Sequence, residues 1–520
     1  MKLNRAIAIL ILSVVLFVAI KTCGAEALQA TLTVRGDEPG PVINRNIYGQ
    51  FAEHLGHCIY GGIWVGENSP IPNTRGIRND VVAALRNLDI PVLRWPGGCF
   101  ADQYHWRDGI GPRDRRPVTI NTTWGGVEEN NQFGTHEFLD LCDQLGCEPY
   151  ICGNVGTGTP QEMKDWIEYL TAETNSTLVQ LRHENGREQP WKIKYFGVGN
   201  ESWGCGGGMT PEFYADNFRR YNTYVKDYSS NRVFRIACGA NDWNTNWTEV
   251  LMTRAAKRMN GLSLHYYTTG TGDWEAKGSA TDFNEHLWFK TLHNTLLMDR
   301  LLDEHIAIMD RLDPSNKVGL VVDEWGAWYT VEPGGNPRFL YQQNTLRDAE
   351  VAALNLHIFQ KHARRVIMAN IAQMVNVLQA MILTDGDKML VTPTYWVFEM
   401  FKVHQGATFL PVELKTPISG DGTNAVPTVS ASASRDQDGR VHLSLVNTDP
   451  DRPVRVTCKL DGVADESVTG QVLTAPTMQA HNTFDQPDEV HPVAFVDFQA
   501  KGPALTVNLP SKSVVMLEFQ

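Results

Sequence analysis

Between about residue 46 and residue 400, short apolar runs alternate with stretches of helical periodicity, and this alternation constrains the fold more than any other feature. The strand-like runs are Ile47–Ala52, Val92–Trp95, Glu148–Cys152, Ile193–Gly199, Val233–Cys238, Leu262–Tyr266, Val318–Asp323 and Val375–Ile382. Apolar strands buried on both faces and separated by helices predict a parallel sheet covered by helices. Eight of them predict a closed (β/α)8 barrel; the doubly wound alternative requires a Gly-rich phosphate fingerprint after the first strand, and none follows it. Helix boundaries support this reading. Thr159-Pro160 with Glu162, Thr210-Pro211 and Thr392-Pro393 each put a hydroxyl cap before a first-turn proline, while Leu139 to Leu145 has helical spacing and stops on Gly146.

After about residue 405 the period falls from helical to two. Val441/Leu443/Leu445, Val454/Val456/Cys458 and Leu505/Val507/Leu509 alternate with polar neighbours, and Asp438-Gly439 marks a hairpin. A C-terminal, jelly-roll-like β-sandwich over residues 405–520 is expected beside a catalytic barrel over 46–404. The short alternating run Leu32-Thr33-Val34 has the same character, so residues 28–45 are expected to add a strand to the sandwich. Residues 1–27 have a basic start, a 15-residue apolar run from Ala6 to Ile20 and a small-residue site at Ala27, which reads as an export signal. This predicts a periplasmic or extracellular protein, with lipid anchoring at Cys23 ranked second because Lys21 stands close before it.

The formal charge is −13; loss of residues 1–27 takes away three positive charges and one negative, leaving −15. Such a balance disfavours nucleic acid and anionic membranes as partners and suits a neutral substrate. The cysteines beyond the leader (Cys58, Cys99, Cys142, Cys147, Cys152, Cys205, Cys238 and Cys458) show no metal spacing, so mostly buried thiols with room for one bridge are expected.

In an eight-stranded α/β barrel, chemistry belongs at the C-terminal strand ends. There the sequence places Glu53 and His54, Arg94 to Cys99, Asn200 and Glu201, His265 and Tyr267, Glu324, and Gln373 beside the eighth strand. A lone glutamate at a strand end is usually a solvated rim residue. Two of them, Glu201 and Glu324, each closing an apolar strand with Trp203, Trp325 and Trp328 nearby, point instead to paired carboxylates and aromatic rings for sugar stacking. Strands four and seven can bring such groups to about 5 Å, the separation of a retaining glycosidase. Glu53 with His54 and His57 lacks a suitably spaced third ligand, so neither metal nor cofactor is expected.

Phe51-Ala-Glu-His-Leu55, Leu93-Arg-Trp-Pro-Gly-Gly98, Asp108-Gly-Ile-Gly-Pro112, Gly199-Asn-Glu-Ser-Trp-Gly-Cys-Gly-Gly207, Asp323-Glu-Trp-Gly326 and Gln373-Met-Val-Asn-Val377 resemble, in order, glycoside hydrolase family 51, the α-L-arabinofuranosidases of clan A. The resemblance spans nearly the whole chain. It implies Glu201 as acid/base and Glu324 as nucleophile, with Asn200 on the sugar 2-hydroxyl. It further implies Glu53, Cys99, Tyr267 and Gln373 on the remaining hydroxyls, Arg94 and His265 supporting the carboxylates, and Trp124 and Trp328 walling the pocket. The implied activity is exo-acting release of terminal arabinofuranose from arabinan or arabinoxylan, with a homo-oligomer compatible with the family. Competing readings are another clan A activity, an endo-β-glucanase or β-xylosidase, and a carbohydrate-binding protein without turnover.

Overall fold

The computed structural model describes residues 27–420, 422–463 and 467–520. The leader expected over residues 1–27, with Cys23, therefore lies outside the described residues except for Ala27. Eight parallel strands close into a barrel: Gly49–Phe51, Val92–Trp95, Glu148–Gly153, Tyr195–Val198, Phe234–Asn241, Gly261–Thr268, Gly319–Ala327 and Val366–Ile371. Each pairs with its sequence neighbour, and the last returns to the first through Asn370 opposite Gly49 and Ile371 opposite Gln50. The interior is filled rather than hollow, as Val92, Tyr150, Tyr195, Ile236, Val321 and Met368 from six different strands pack into one cluster. This plug fills the barrel interior, and Tyr150 reaches from it to Asp323 in the site at the rim.

The capping signals act locally as their chemistry requires. The Thr159 hydroxyl accepts from the Glu162 amide at 3.1 Å to start the helix Pro160–Thr171, and Thr210 and Thr392 do the same for Pro211–Asn222 and Pro393–Phe401. Gly146, at φ 74°, ends the helix Thr135–Leu145 in the left-handed conformation that a side chain disfavours.

Two strand expectations require correction. The first strand is shorter than Ile47–Ala52, because Arg45–Tyr48 forms a 3-10 turn ahead of Gly49. The eighth strand is Val366–Ile371, not Val375–Ile382. Residues 375 to 382 are almost wholly buried yet irregular, with Asn376 and Leu378 at φ 60° and 52°, values no strand residue adopts. Their apolar character reflects burial under the barrel rim, and burial alone does not distinguish a strand from a packed loop.

Beyond the barrel lie two antiparallel-rich sheets. One orders Thr408–Leu410, Val429–Arg435, Val441–Asn447, Ser513–Phe519, Val468–Thr474 and Val493–Ala494. The other orders Val412–Lys415, Leu28–Arg35, Val454–Asp461, Ala504–Leu509 and Phe498–Lys501. The N-terminal strand thus sits inside the second sheet, running parallel to Val454–Asp461 from Leu28 opposite Val454 to Arg35 opposite Asp461. Its buried residues Ala30, Leu32 and Val34 join Val454, Val456, Leu505, Val507 and Leu443 in one core. Burying a side chain such as Leu32 stabilises the sandwich by about 2 kcal/mol.

Candidate active site

Arg94, 1% exposed, is the organising cation of the barrel rim. From the second strand its guanidinium donates to Glu324 Oε1 at 2.9 Å, to the Asp323 carbonyl at 3.2 Å and to Asn200 Oδ1 at 2.5 Å. The Phe51 ring lies against its other face, 4.4 Å from centroid to Cζ. One buried arginine therefore ties the ends of strands two, four and seven together. Burial opposes its charge, but Asp323 and Glu324 more than offset this and raise it well above its ordinary range.

The second hub is His265. Its Nδ1 stands 2.8 Å from Glu201 Oε1 and 3.5 Å from Glu324 Oε2, and its Nε2 stands 3.2 Å from Asp323 Oδ1. Burial disfavours the imidazolium, yet Glu324, Asp323 and Glu201 around it raise the pKa to about 10, so the ring is a cation at neutral pH. Tyr150 donates to Asp323 Oδ2 at 2.7 Å. Burial also works against ionisation of Asp323, but Arg94, His265 and Tyr150 outweigh it and hold that carboxyl below the usual range.

Glu201 and Glu324 converge. Their nearest carboxylate oxygens, with a His265 nitrogen, all lie within 4.8 Å of one another. Burial first and the charge of Glu324 second push Glu201 above the ordinary carboxylate range, while His265 restrains the shift. Tyr267 donates to Glu324 Oε2 at 2.8 Å, so both Glu324 oxygens are held, one by Arg94 and one by Tyr267. Glu201 itself has φ 39°, a left-handed backbone that costs energy for a side-chain-bearing residue and is maintained only by its surroundings. Gly98 is required on the opposite side: a Cβ there would stand 2.8 Å from Glu324 Oε1.

Glu53 and Gln373 face each other across the floor. Gln373 Nε2 donates to Glu53 Oε2 at 2.9 Å, while Glu53 Oε1 accepts from Trp124 Nε1 at 2.9 Å and the Phe100 amide at 3.0 Å. Burial, then Glu324, raise the Glu53 pKa to about 7. Asn200 Nδ2 and Gln373 Oε1 are buried without any hydrogen-bond partner among the described residues. Trp328 meets Tyr267 edge to face at 5.1 Å and forms part of the wall.

The residues named from the sequence thus gather at one rim, with two corrections. Cys99 is not a free thiol: it is bonded to Cys205, so it has no S–H to donate to a hydroxyl. Glu201 Oε2 instead lies 3.7 Å from the Cys99 sulfur and 3.3 Å from the Cys205 sulfur. Trp325 is fully buried, stacked on Phe398 and edge-on to Phe359, and takes no part in the pocket. Asp323, Tyr150 and Asp102 were not singled out in the sequence. Asp102 accepts from the amides of Val155, Gly156 and Asn200 at 2.7, 2.9 and 2.9 Å and so fixes the turn that presents Asn200 and Glu201. Only the adjacency of Asp323 to Glu324 could have signalled one of these three.

Two sets of side chains have metal-ligating atoms in reach of one another at this rim. In Cys99–Glu201–Cys205 the sulfurs are bonded to each other and offer no thiolate. In Glu201–His265–Glu324 both His265 nitrogens are already engaged with carboxylates.

Comparison with known proteins identifies the scaffold. Residues 84–277 match the Alpha-L-arabinofuranosidase 1 domain, and residues 323–513 match the Alpha-L-arabinofuranosidase C-terminal domain. A Bacteroides ovatus protein named intracellular exo-alpha-L-arabinofuranosidase is 52% identical over 505 residues, 97% of this chain and 98% of its own. The crystal structure of the GH51 arabinofuranosidase from Xanthomonas axonopodis pv. citri superposes with a TM-score of 0.94 at 55% identity, covering 95% of this chain and all of that one. The chain belongs to the family 51 α-L-arabinofuranosidases. It is a glycoside hydrolase by that membership. A more distant structure, the Thermotoga maritima α-L-arabinofuranosidase in complex with arabinose, retains the fold at 31% identity with a TM-score of 0.81 over 94% of this chain and 99% of its own.

The comparison also overturns the expectation of export. The Bacteroides ovatus relative matches nearly the whole chain and is named an intracellular enzyme, so the apolar N-terminal run does not place this family member outside the cell. Among the described residues no helix is long and apolar enough to cross a membrane.

Proposed function

We propose that the protein is an exo-acting, retaining α-L-arabinofuranosidase that releases terminal arabinofuranosyl residues from arabinan- or arabinoxylan-type glycans by double displacement. The observation that carries this is the convergence of the Glu201 and Glu324 carboxylates, which stand 2.8 and 3.5 Å from the same His265 nitrogen and have oxygens within 4.8 Å of one another, the close pairing that goes with retention. Glu324, fixed by Arg94 and Tyr267, attacks the anomeric carbon as Glu201 gives its proton to the departing glycosidic oxygen. The elevated pKa of Glu201 suits it to carry that proton near neutrality. The covalent ester at Glu324 is then opened by water. Glu201, now a carboxylate, takes the water proton, and the sugar leaves with its original configuration.

His265 is a positioning residue here: as a cation it orients Glu201 and offsets the negative charge shared by three carboxylates. Asn200 Nδ2 and Gln373 Oε1 supply a free donor and a free acceptor for sugar hydroxyls, and Glu53 shares the acceptor role. A hydroxyl held by Asn200 gains strength as positive charge develops in the ring. Trp124 and Trp328 provide apolar faces for the furanose.

Following the hydrolysis of 4-nitrophenyl α-L-arabinofuranoside by NMR tests this directly. The first arabinose formed should have the α configuration. Azide should restore turnover to Glu201→Ala, giving arabinofuranosyl azide of retained configuration as azide displaces Glu324 from the anomeric carbon, and should give no such product with Glu324→Ala. Initial release of the β-anomer would overturn the double displacement. A parallel panel of nitrophenyl β-xyloside and β-glucoside separates the arabinofuranosidase from other clan A activities.

A further inference from the structure

Resting on the arabinofuranosidase reading above, we propose that Lys277 is a specificity-determining residue that receives the carboxylate of a hexuronate on the leaving side of the glycan. The loop carrying it follows the sixth barrel strand and is tied down along its length. The Gly270 amide donates to the Lys277 carbonyl at 3.0 Å, Thr271 Oγ1 donates to the Ala276 carbonyl at 2.6 Å, and the Thr330 amide donates to the Gly278 carbonyl at 2.8 Å. The last bond fastens the loop to the segment that extends from Glu324 through Trp328, so Lys277 has a fixed position relative to the catalytic strand.

A chain of ring contacts measures that position. Tyr267, bonded to Glu324, meets Trp328 at 5.1 Å; Trp328 meets Trp274 at 5.4 Å; and Lys277 Nζ stands 5.6 Å from the Trp328 ring and 5.3 Å from the Trp274 ring. Lys277 is therefore one ring beyond the pocket wall. Trp328 walls the furanose pocket, so a group at Lys277 lies outside it, where an exo-acting site leaves room for the departing part of the glycan. Trp274 is 43% exposed, an indole face open to stacking by a sugar next to the cation.

The ammonium is held but not neutralised. Among the described residues its one hydrogen-bond acceptor is the Trp274 carbonyl, and two indoles cover part of its surface. Asp273 and Glu275 share the loop, yet among the described residues Lys277 forms no ion pair, and Asp273 instead accepts from the Glu275 amide at 2.9 Å. In a chain of net charge −13, an unpaired cation at the mouth of a sugar pocket is the complement of an anionic glycan substituent.

The deciding measurement is kcat/KM on two substrates: an arabinofuranosylated xylo-oligosaccharide carrying a glucuronate on the same backbone, and the same oligosaccharide with that carboxyl reduced to the alcohol. The wild type should favour the acid roughly three- to fivefold at low ionic strength, the effect of one partly exposed ion pair, and the ratio should fall toward one in high salt. Lys277→Met should bring the ratio to about one through KM, and Lys277→Arg should keep it above one. A wild-type ratio of one, or a Lys277→Met ratio equal to wild type, overturns the inference even if overall rates fall, because a loop that is only a structural brace would lower both substrates alike. A wild type that releases no arabinose from either substrate or from the nitrophenyl arabinofuranoside removes the underlying reading instead.

Discussion

Two clusters of buried polar side chains differ in a way that separates catalysis from architecture. The barrel rim gathers Glu53, Arg94, Glu201, His265, Asp323 and Glu324 and leaves Asn200 Nδ2 and Gln373 Oε1 without partners among the described residues. The seam between barrel and sandwich gathers His357, His404 and three serines and leaves neither of these two rings wanting. His357 reaches Ser430 and Ser444 at 2.9 Å each, and His404 reaches Ser434 at 2.7 Å and Ser444 at 3.2 Å. Burial drives His357 down to about 3 and His404 well below its usual value, so both rings are neutral. The rim is charged and incomplete, the seam uncharged and closed. At the rim of a pocket, an unpaired buried donor and acceptor are where a ligand hydroxyl can bind.

If that contrast is real, mutations at the two places should separate activity from stability. The largest effect belongs to Glu324→Ala, which should lower kcat by roughly 10⁵-fold, as loss of a nucleophile does, with an unchanged circular dichroism spectrum. Asn200→Ala should follow, lowering kcat by about 10²-fold in steady-state assays on the nitrophenyl arabinofuranoside and leaving the thermal midpoint near wild type. An equal loss with a large drop in midpoint would mean that Asn200 serves chiefly to anchor Arg94. His357→Ala should do the reverse: unfolding stability in denaturant should fall by about 1–3 kcal/mol because Ser430 and Ser444 lose a buried partner, with kcat held. A last test is the effect of pH on the seam. Because the native imidazoles bind protons only well below the unfolded value near 6.5, the stability they contribute is fully present above about pH 6.5 and declines as the pH falls from there toward about 3. Midpoints of wild type and His357→Gln measured from pH 7 to pH 4 should converge; parallel curves would show that the ring is not the sensor.

Seven of the barrel strands were legible because each is a short apolar run bounded by turn or capping residues. The eighth was not, since Val375–Ile382 is as apolar as a strand and only its left-handed residues Asn376 and Leu378 exclude that geometry. Glu201 and Glu324 could be read from their places at strand ends. What lies between them could not: Asp323 and Tyr150 act through a contact across the barrel between residues 173 apart, and Asp102 acts on backbone amides, which no side-chain pattern reports. The Cys99–Cys205 bond has a separation of 106 residues and no local spacing to announce it.

The placement of Leu28–Arg35 inside a sandwich sheet has a consequence for biosynthesis. This strand leaves the ribosome before its neighbours Val412–Lys415 and Val454–Asp461 have been made, so it waits through the synthesis of the entire barrel with its Ala30, Leu32 and Val34 face uncovered. A nascent chain stalled anywhere before residue 412 should be a substrate for chaperones that recognise short apolar segments, and deletion of either terminus should expose the same seam of unpaired amides.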